Sequence, residues 1–401
     1  MKKNKLVFVG LSGGVDSAVS AALLLKAGYE VVGVFIKTWH PDFLACNEEE
    51  ERRDAMRIAA HLNIPFLTFD FENVYKKEVA DYMIREYKIG RTPNPDVMCN
   101  KHVKFGAFLK KALKMGADYV ATGHYAIVKT ESSFLNGLAG VGTQRTEDLK
   151  KRSFQFLLNK GVDFTKDQSY FLWTLKQEQL FKILFPIGNL KKTEVRRLAK
   201  KFNLPVAEKK DSQGICFLGA VDLKEFLKHY IKEKKGKVVS VEGDIIGFHN
   251  GVVFHTLGER HGFTITKKSP NDKRYYVIGK DVKKNILVVS KGHDLKNLRS
   301  RVGPLSYWFR GRRRENFSNP VLNLENTNWI TKIPDEKKIY TAQIRYHGEF
   351  LPCKIKIISK NEAEVIFTEL APGLPVKTLV ASGQSCVIYD GDICLGGGVA
   401  K

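Results

Sequence analysis

Eight consecutive residues, Gly10-Leu11-Ser12-Gly13-Gly14-Val15-Asp16-Ser17, are of the types that grip a phosphate chain. Paired glycines adopt backbone angles closed to other residues and let a ligand approach the main chain. Ser12 and Ser17 add hydroxyls, and the free N–H groups of a helix beginning after Gly14 attract anions. The run lacks the Gly-Lys-Ser/Thr ending of the ordinary phosphate loop, so it holds its ligand differently. Asp16 has two readings: a carboxylate for Mg²⁺ on bound phosphates, or a charge complementing the helix N-terminus.

Two cysteines lie in unusual surroundings. Cys99 ends the run Arg91-Thr92-Pro93-Asn94-Pro95-Asp96-Val97-Met98-Cys99, and the spacing predicts a helix from Lys101 onward. A thiol at a helix start beside Lys101, His102 and Lys104 is expected to have a lowered pKa. A packed cysteine at a loop-to-helix junction is the other reading, and the residues alone leave both open. Asp96, three residues earlier, is within reach of a base bound at the same place. Cys216 follows Lys209-Lys210-Asp211-Ser212-Gln213-Gly214-Ile215, a glycine-containing loop that suits a reactive thiol better than a structural one without excluding the latter. Cys353, Cys386 and Cys394 fall in strand-like alternation and read as core, and Cys46, before an acidic helix, as packing. No CxxC pair occurs, so free thiols are expected and no set of protein metal ligands.

These residues need elements to position them. Apolar runs at Lys5–Gly10, Val31–Lys37, Ile64–Asp70 and Tyr119–Tyr125 alternate with helical patterns at Val15–Ala27, Glu48–Leu62, Val74–Tyr87 and Lys101–Met115. That alternation predicts an α/β fold with a doubly wound parallel sheet, whose ligands bind at the carboxyl ends of strands. Gly10–Ser17 lies at one such end. Glu131–Thr165 is polar and reads as an inserted loop or a short helical excursion, with helical patterns resuming at Gln168–Phe181, Lys192–Phe202 and Lys224–Lys235. Short glycine-punctuated strands then predict a small central β-rich domain, followed by a basic linker at Arg299–Asn319. Period-two alternation after Trp329 predicts a C-terminal antiparallel β-barrel. Three domains are expected: 1–220, 221–298 and 299–401.

Lys and Arg total 66 against 43 Asp and Glu, a net charge of +23 in 401 residues. Such an excess favours polyanionic partners, nucleic acid before an acidic membrane surface. No apolar run is long enough to span a bilayer and no signal peptide is apparent, so a cytoplasmic location is expected.

The string SGGVDS resembles the PP-loop ATP pyrophosphatases. Followed by NPDVMCNKHVKFG, TGHYA, KDQSYFL, DSQGICF, HTLGERHGF, TAQIRYHG and GQSCVIYDGDICLGGG, it resembles the bacterial and organellar tRNA-specific 2-thiouridylases over nearly the whole chain. The resemblance implies that ATP is held by Gly10, Leu11, Ser12, Gly13, Gly14, Val15, Asp16 and Ser17, with Ile36 and Gly123 lining the adenosine. Ile36 stands where relatives often carry methionine. It further implies Cys99 as nucleophile and Cys216 as persulfide carrier, the two forming a disulfide during turnover, with Asp96 positioned for acid–base work. Asn94, Pro95 and Asp96 would meet the target base, and His124, Lys166, Asp167, Gln168, Arg345, Tyr346 and Gln384 the tRNA. Each has a plain alternative, such as a strand-end histidine or a solvated charge. The long 131–165 stretch and the Arg310–Arg314 linker depart from the family pattern.

The expected reaction is adenylation of the C2 oxygen of the wobble uridine, then sulfur transfer from Cys216, with ATP and Mg²⁺ as cofactors. The partners are a tRNA anticodon stem-loop and a persulfide donor, and the protein is expected to act as a monomer. Three rivals remain: an amidating PP-loop enzyme, which leaves the two cysteines unexplained; a non-catalytic RNA-binding protein, which leaves the intact loop unexplained; and an iron–sulfur thiolation enzyme, which the cysteine spacing does not support.

Overall fold

The computed structural model describes residues 4–44, 47–130, 155–211, 216, 222–267, 273–291, 320–368 and 380–401. Cys46, residues 131–154, Ser212–Ile215 and the 299–319 linker with Arg310–Arg314 lie outside these.

The first sheet is parallel, in the order β3 (Phe66–Asp70), β2 (Glu30–Lys37), β1 (Leu6–Gly10), β4 (Tyr119–Ala121), β7 (Ile183–Leu184). Its strands are apolar on both sides because both faces are covered. Val7 and Val9 of β1 pack with helices α1 (Val15–Lys26) and α2 (Glu48–His61) and the helix Lys192–Lys201, while Phe8 faces the helical runs 72–88 and 95–114. The order reverses at β1, so the loops after β1 and β4 face each other across the switch point, where such sheets bind ligands.

Several expected elements differ in extent. β4 ends at Ala121 rather than Tyr125, and the helix expected to begin at Lys101 begins at Pro95, where a proline in the first turn needs no N–H partner. The 168–181 helix is only a 3₁₀ turn, Ser169–Leu172, and a short helix, Gln177–Leu180. Between them Trp173 and Leu175 turn inward, and their carbonyls accept from the Asn328 side chain instead of continuing a helical ladder. The helix expected over 224–235 spans only Leu223–Lys228.

The second sheet orders β10 (Phe263–Ile265), β9 (Ile245–His249), β8 (Gly236–Val239), β12 (Ile286–Lys291), β11 (Tyr275–Asp281). The third is a closed antiparallel barrel: β13 (Val321–Trp329), β16 (Glu362–Phe367), β15 (Phe350–Ser359), β14 (Tyr340–Gln343), β17 (Ser385–Asp390) and β18 (Ile393–Ala400), with β18 returning to β13. Closure removes free strand edges. Cys353, Cys386 and Cys394 are buried in these strands, as the alternation predicts. The stretch read as an inserted loop supplies a strand: β6 (Phe156–Lys160) pairs with β5 (Ala126–Thr130) and also with β18, through Ile393↔Asn159 and Cys394↔Leu158. The hairpin thereby ties the first module to the barrel.

Candidate active site

The loop after β1 is drawn tight by its own residues. Leu11 N–H donates to the Val34 carbonyl at 2.8 Å, and Ser12 N–H donates to Ser17 Oγ at 3.3 Å. Gly13 has φ of +71°, and a Cβ there would lie 2.5 Å from the Glu51 carbonyl oxygen, so only glycine lets the loop rest against α2. Gly123, after β4, comes as close from the other side: a Cβ would lie 2.7 Å from Ser17 N. The loop and Gly123 thus meet, while Ile36 lies buried in the sheet, in register with Phe69. The first-turn N–H groups of α1, beside this cradle, have no helical acceptor.

Asp16 is engaged within the protein. It accepts from Tyr125 Oη at 2.8 Å and from Lys192 Nζ at 2.7 and 2.9 Å. Lys192 Nζ also lies 2.9 Å from Asp211, which Lys166 and Arg196 contact at 3.0 and 2.5 Å. Against the cost of burial, the hydrogen bonds from Lys192 and Lys166 hold the Asp211 carboxyl well below the usual range. Lys192 was not legible as a site residue, since it merely opens a basic helix 176 positions from Asp16. It joins the phosphate loop to the segment leading to Cys216.

Cys99 and Cys216 face each other with sulfurs 3.6 Å apart. Cys99 sits where the short helix Pro95–Met98 widens into a π-helical stretch, Cys99–Phe108. Five residues of α-helix would turn Lys104 about 140° away from Cys99, whereas the wider i→i+5 turn brings it much nearer to that face. Lys104 there hydrogen-bonds the Cys216 sulfur. Cys216 is fixed further by its N–H donating to Asp96 Oδ1 at 2.9 Å and its carbonyl accepting from Tyr75 Oη at 2.8 Å.

The electrostatics reverse one expectation. Burial, with the neighbouring Cys216 sulfur, pushes the Cys99 thiol well up. Cys216 is pulled down, first by the hydrogen bond from Cys99 and then by Lys104, against burial. The acidified thiol is therefore Cys216, because Cys99 lies one turn inside the helix and fully buried rather than at its mouth. Burial raises the Asp96 pKa despite the Cys216 N–H and Lys104, and pushes His124, with Lys104 near, well below its usual value.

The residues assigned to tRNA fall in two groups. Asn94 caps its helix by accepting from Val97 N–H, and Pro95 and Asp96 follow it beside the thiols. Tyr346 packs on Phe171 with centroids 4.4 Å apart, next to exposed Arg345, and Lys166 is partly exposed. The others are engaged by hydrogen bonds within the protein. Asp167 accepts from Gly161 N–H and Ser169, Gln168 Oε1 accepts from Tyr125 N–H, and His124 Nδ1 bonds Thr122 Oγ1 at 2.7 Å. Gln384 Nε2 donates to the Thr92 and Pro93 carbonyls at 2.8 and 3.3 Å, so the barrel holds the loop before Asn94. Among the described residues no group of three or more His, Cys, Asp or Glu is placed to hold a metal ion.

Residues 5–220 match a family model described as tRNA methyl transferase HUP domain, 224–291 one described as tRNA methyl transferase PRC-barrel domain, and 320–400 one described as aminomethyltransferase beta-barrel domain. The chain is 41% identical to the tRNA-specific 2-thiouridylase MnmA of Shewanella amazonensis, covering 99% of this chain and 94% of that protein. It is 40% identical to the protein of that name from Geobacillus thermodenitrificans and 39% to that from Listeria monocytogenes serovar 1/2a, each alignment covering 98% of this chain and 93% of the relative.

Proposed function

The chain belongs to the tRNA-specific 2-thiouridylase family, and on that premise we propose that the phosphate loop, Asp96 and the Cys99–Cys216 pair work as one site. The protein is an ATP-using sulfurtransferase that thiolates a tRNA uridine. The target in our reading is the wobble uridine, splayed out of the anticodon loop because a stacked base would not reach a buried thiol. The observation that carries the reading is the pair of sulfurs 3.6 Å apart, brought together across 117 positions beside Asp96. The methyl transferase wording of two family descriptions gives no role to such a pair.

The uridine C2 oxygen attacks the α-phosphorus of ATP, pyrophosphate leaves, and the oxygen becomes part of a good leaving group. Gly10–Ser17 and Lys192 would hold the departing phosphates. Mg²⁺ would be carried by the nucleotide phosphates, with Asp16 as its single protein carboxylate, which suits an ion that keeps most of its waters. Asp16 is held by Lys192, so that contact would need Lys192 to turn toward the phosphates. The terminal sulfur of a Cys216 persulfide then attacks C2 and AMP departs. Cys99 attacks Cys216 Sγ, the sulfur–sulfur bond to the base breaks toward the base, and 2-thiouridine leaves a Cys99–Cys216 disulfide for a thiol reductant to reopen. In a second route Cys99 first frees the sulfur as hydrosulfide, which attacks C2. The sulfur comes from a persulfide-bearing donor, and the enzyme acts as a cytoplasmic monomer. No described helix is long and apolar enough to cross a membrane.

The test is mass spectrometry of nucleosides from tRNA incubated with protein, ATP and a sulfur source. Wild type should yield 2-thiouridine, whereas Cys216→Ser should yield none while still releasing pyrophosphate and adenylating the tRNA. Thiolation surviving in Cys216→Ser would remove that residue from the mechanism.

A further inference from the structure

We propose that Lys104 is a catalytic residue: its ammonium donates a hydrogen bond to the Cys216 sulfur and is the counter-charge to that sulfur as it accepts and carries sulfur. The inference rests on the sulfur-transfer reading of the site and assigns a role to a residue which that reading does not use.

Three observations converge on it. The widened helix Cys99–Phe108 brings Lys104 much nearer to the face of Cys99, a placement that ordinary helical spacing would not give. Among the described residues Lys104 is the cation whose charge acts on Cys216, and it is also hydrogen-bonded to that sulfur. Although burial favours the neutral amine, the Cys216 and Cys99 sulfurs and Asp96 hold Lys104 protonated. Among the described residues the other titratable groups around the pair are Asp96 on the same helical run, Tyr75 from the 72–88 run, and His124 from the loop after β4, which burial, with Lys104 near, drives neutral. Lys104 is therefore the positive charge set against two sulfurs and a carboxyl.

An anionic Cys216 has a definite use. Its thiolate attacks the outer sulfur of a donor persulfide, a new sulfur–sulfur bond forms at Cys216, and the donor leaves as a thiolate. No electrons are gained or lost overall, and the sulfane sulfur changes carrier. Thiolate, not thiol, is the nucleophile in such exchange. Cys99, its thiol pushed up by burial, is the weaker competitor for the donor, which gives the relay a direction.

The experiment measures iodoacetamide alkylation of Cys216 and Cys99 across pH in the full-length protein, by peptide mass spectrometry. In wild type the Cys216 midpoint should lie below that of Cys99. Lys104→Gln and Lys104→Met should raise the Cys216 midpoint by a pH unit or more, about a tenfold loss of thiolate at neutral pH, and Lys104→Arg should keep it low. An unchanged midpoint in either neutral variant overturns the proposal. Formation of the Cys99–Cys216 disulfide under mild oxidant checks that the sulfurs still face each other. If both neutral variants lose that contact, Lys104→Arg decides: a low midpoint supports the charge, and an ordinary one overturns it. Failure of wild type to make 2-thiouridine would sink the functional reading instead, a result distinct from any shift in midpoint.

Discussion

At the scale of single residues, Asp96 carries two duties that one substitution separates. Its Oδ1 accepts the Cys216 N–H at 2.9 Å, and burial raises its pKa, so it keeps its proton to higher pH than an exposed carboxyl. Asparagine at this position can still accept from Cys216 N–H but cannot move a proton. Asp96→Asn should therefore keep the cysteines facing, with disulfide formation unaltered, while the thiolation rate falls by about 10²–10⁴. Stability supplies an independent check. A carboxyl whose folded pKa exceeds its unfolded value of about 3.9 makes the fold lose stability as pH rises through that interval. The cost is complete above the folded value and absent below the unfolded one. Asp96→Asn should thus melt no lower than wild type at pH 7, with any gain vanishing at pH 3. A clear loss of melting temperature at pH 7 would mean that the charged carboxylate stabilises the fold.

At the scale of elements, the widened helix has a built-in test. Gly106 lies five residues after Lys101, and a Cβ there would sit 2.8 Å from the Lys101 carbonyl oxygen. Gly106→Ala must shift that backbone, at a cost of about 1–3 kcal/mol, or let the stretch tighten and rotate Lys104 away from Cys99. The expected outcome is a lower urea midpoint together with a higher alkylation midpoint at Cys216; neither changing would show that the stretch is slack. This element also marks what the sequence could reveal. Strands β1 to β3 and the phosphate loop were legible because continuous apolar runs and paired glycines are local signals. The nearness of Cys99 and Cys216 was suggested by resemblance, but their relative acidity was not, since it depends on which thiol is buried and which one Lys104 reaches. The two prolines before Cys99 read as helix breakers, so the sequence placed the helix start too late, and helical widening leaves no mark in hydrophobic periodicity, so the reach of Lys104 to Cys216 was not legible. Likewise β6 looked like loop because its second partner, β18, lies more than 230 positions away.

At the scale of the whole molecule, the loop that begins with Arg91 is held from two sides, the barrel and the second sheet's module. From the barrel, the Ser382 carbonyl accepts from Thr92 N–H at 2.7 Å, and Gln384 donates to the Thr92 and Pro93 carbonyls. Arg91 reaches back to Glu325 at 2.5 Å and to the Ala400 carbonyl at 3.3 Å. From the second sheet's module, Thr256 Oγ1 lies 3.2 Å from Thr92 Oγ1. The +23 charge draws in a polyanion from any direction, but it cannot orient one nucleotide; that falls to this loop and hence to the packing of the modules. Gln384→Ala and Thr92→Val each remove one tether, worth about 1 kcal/mol, and each alone should lower kcat/KM for thiolation about fivefold. If the loop is clamped as one unit, a single release already frees it, and the double variant should fall short of additivity by about 0.5–1 kcal/mol. Strict additivity would mean that the modules hold the loop independently, and the base-binding geometry would then belong to the first module alone.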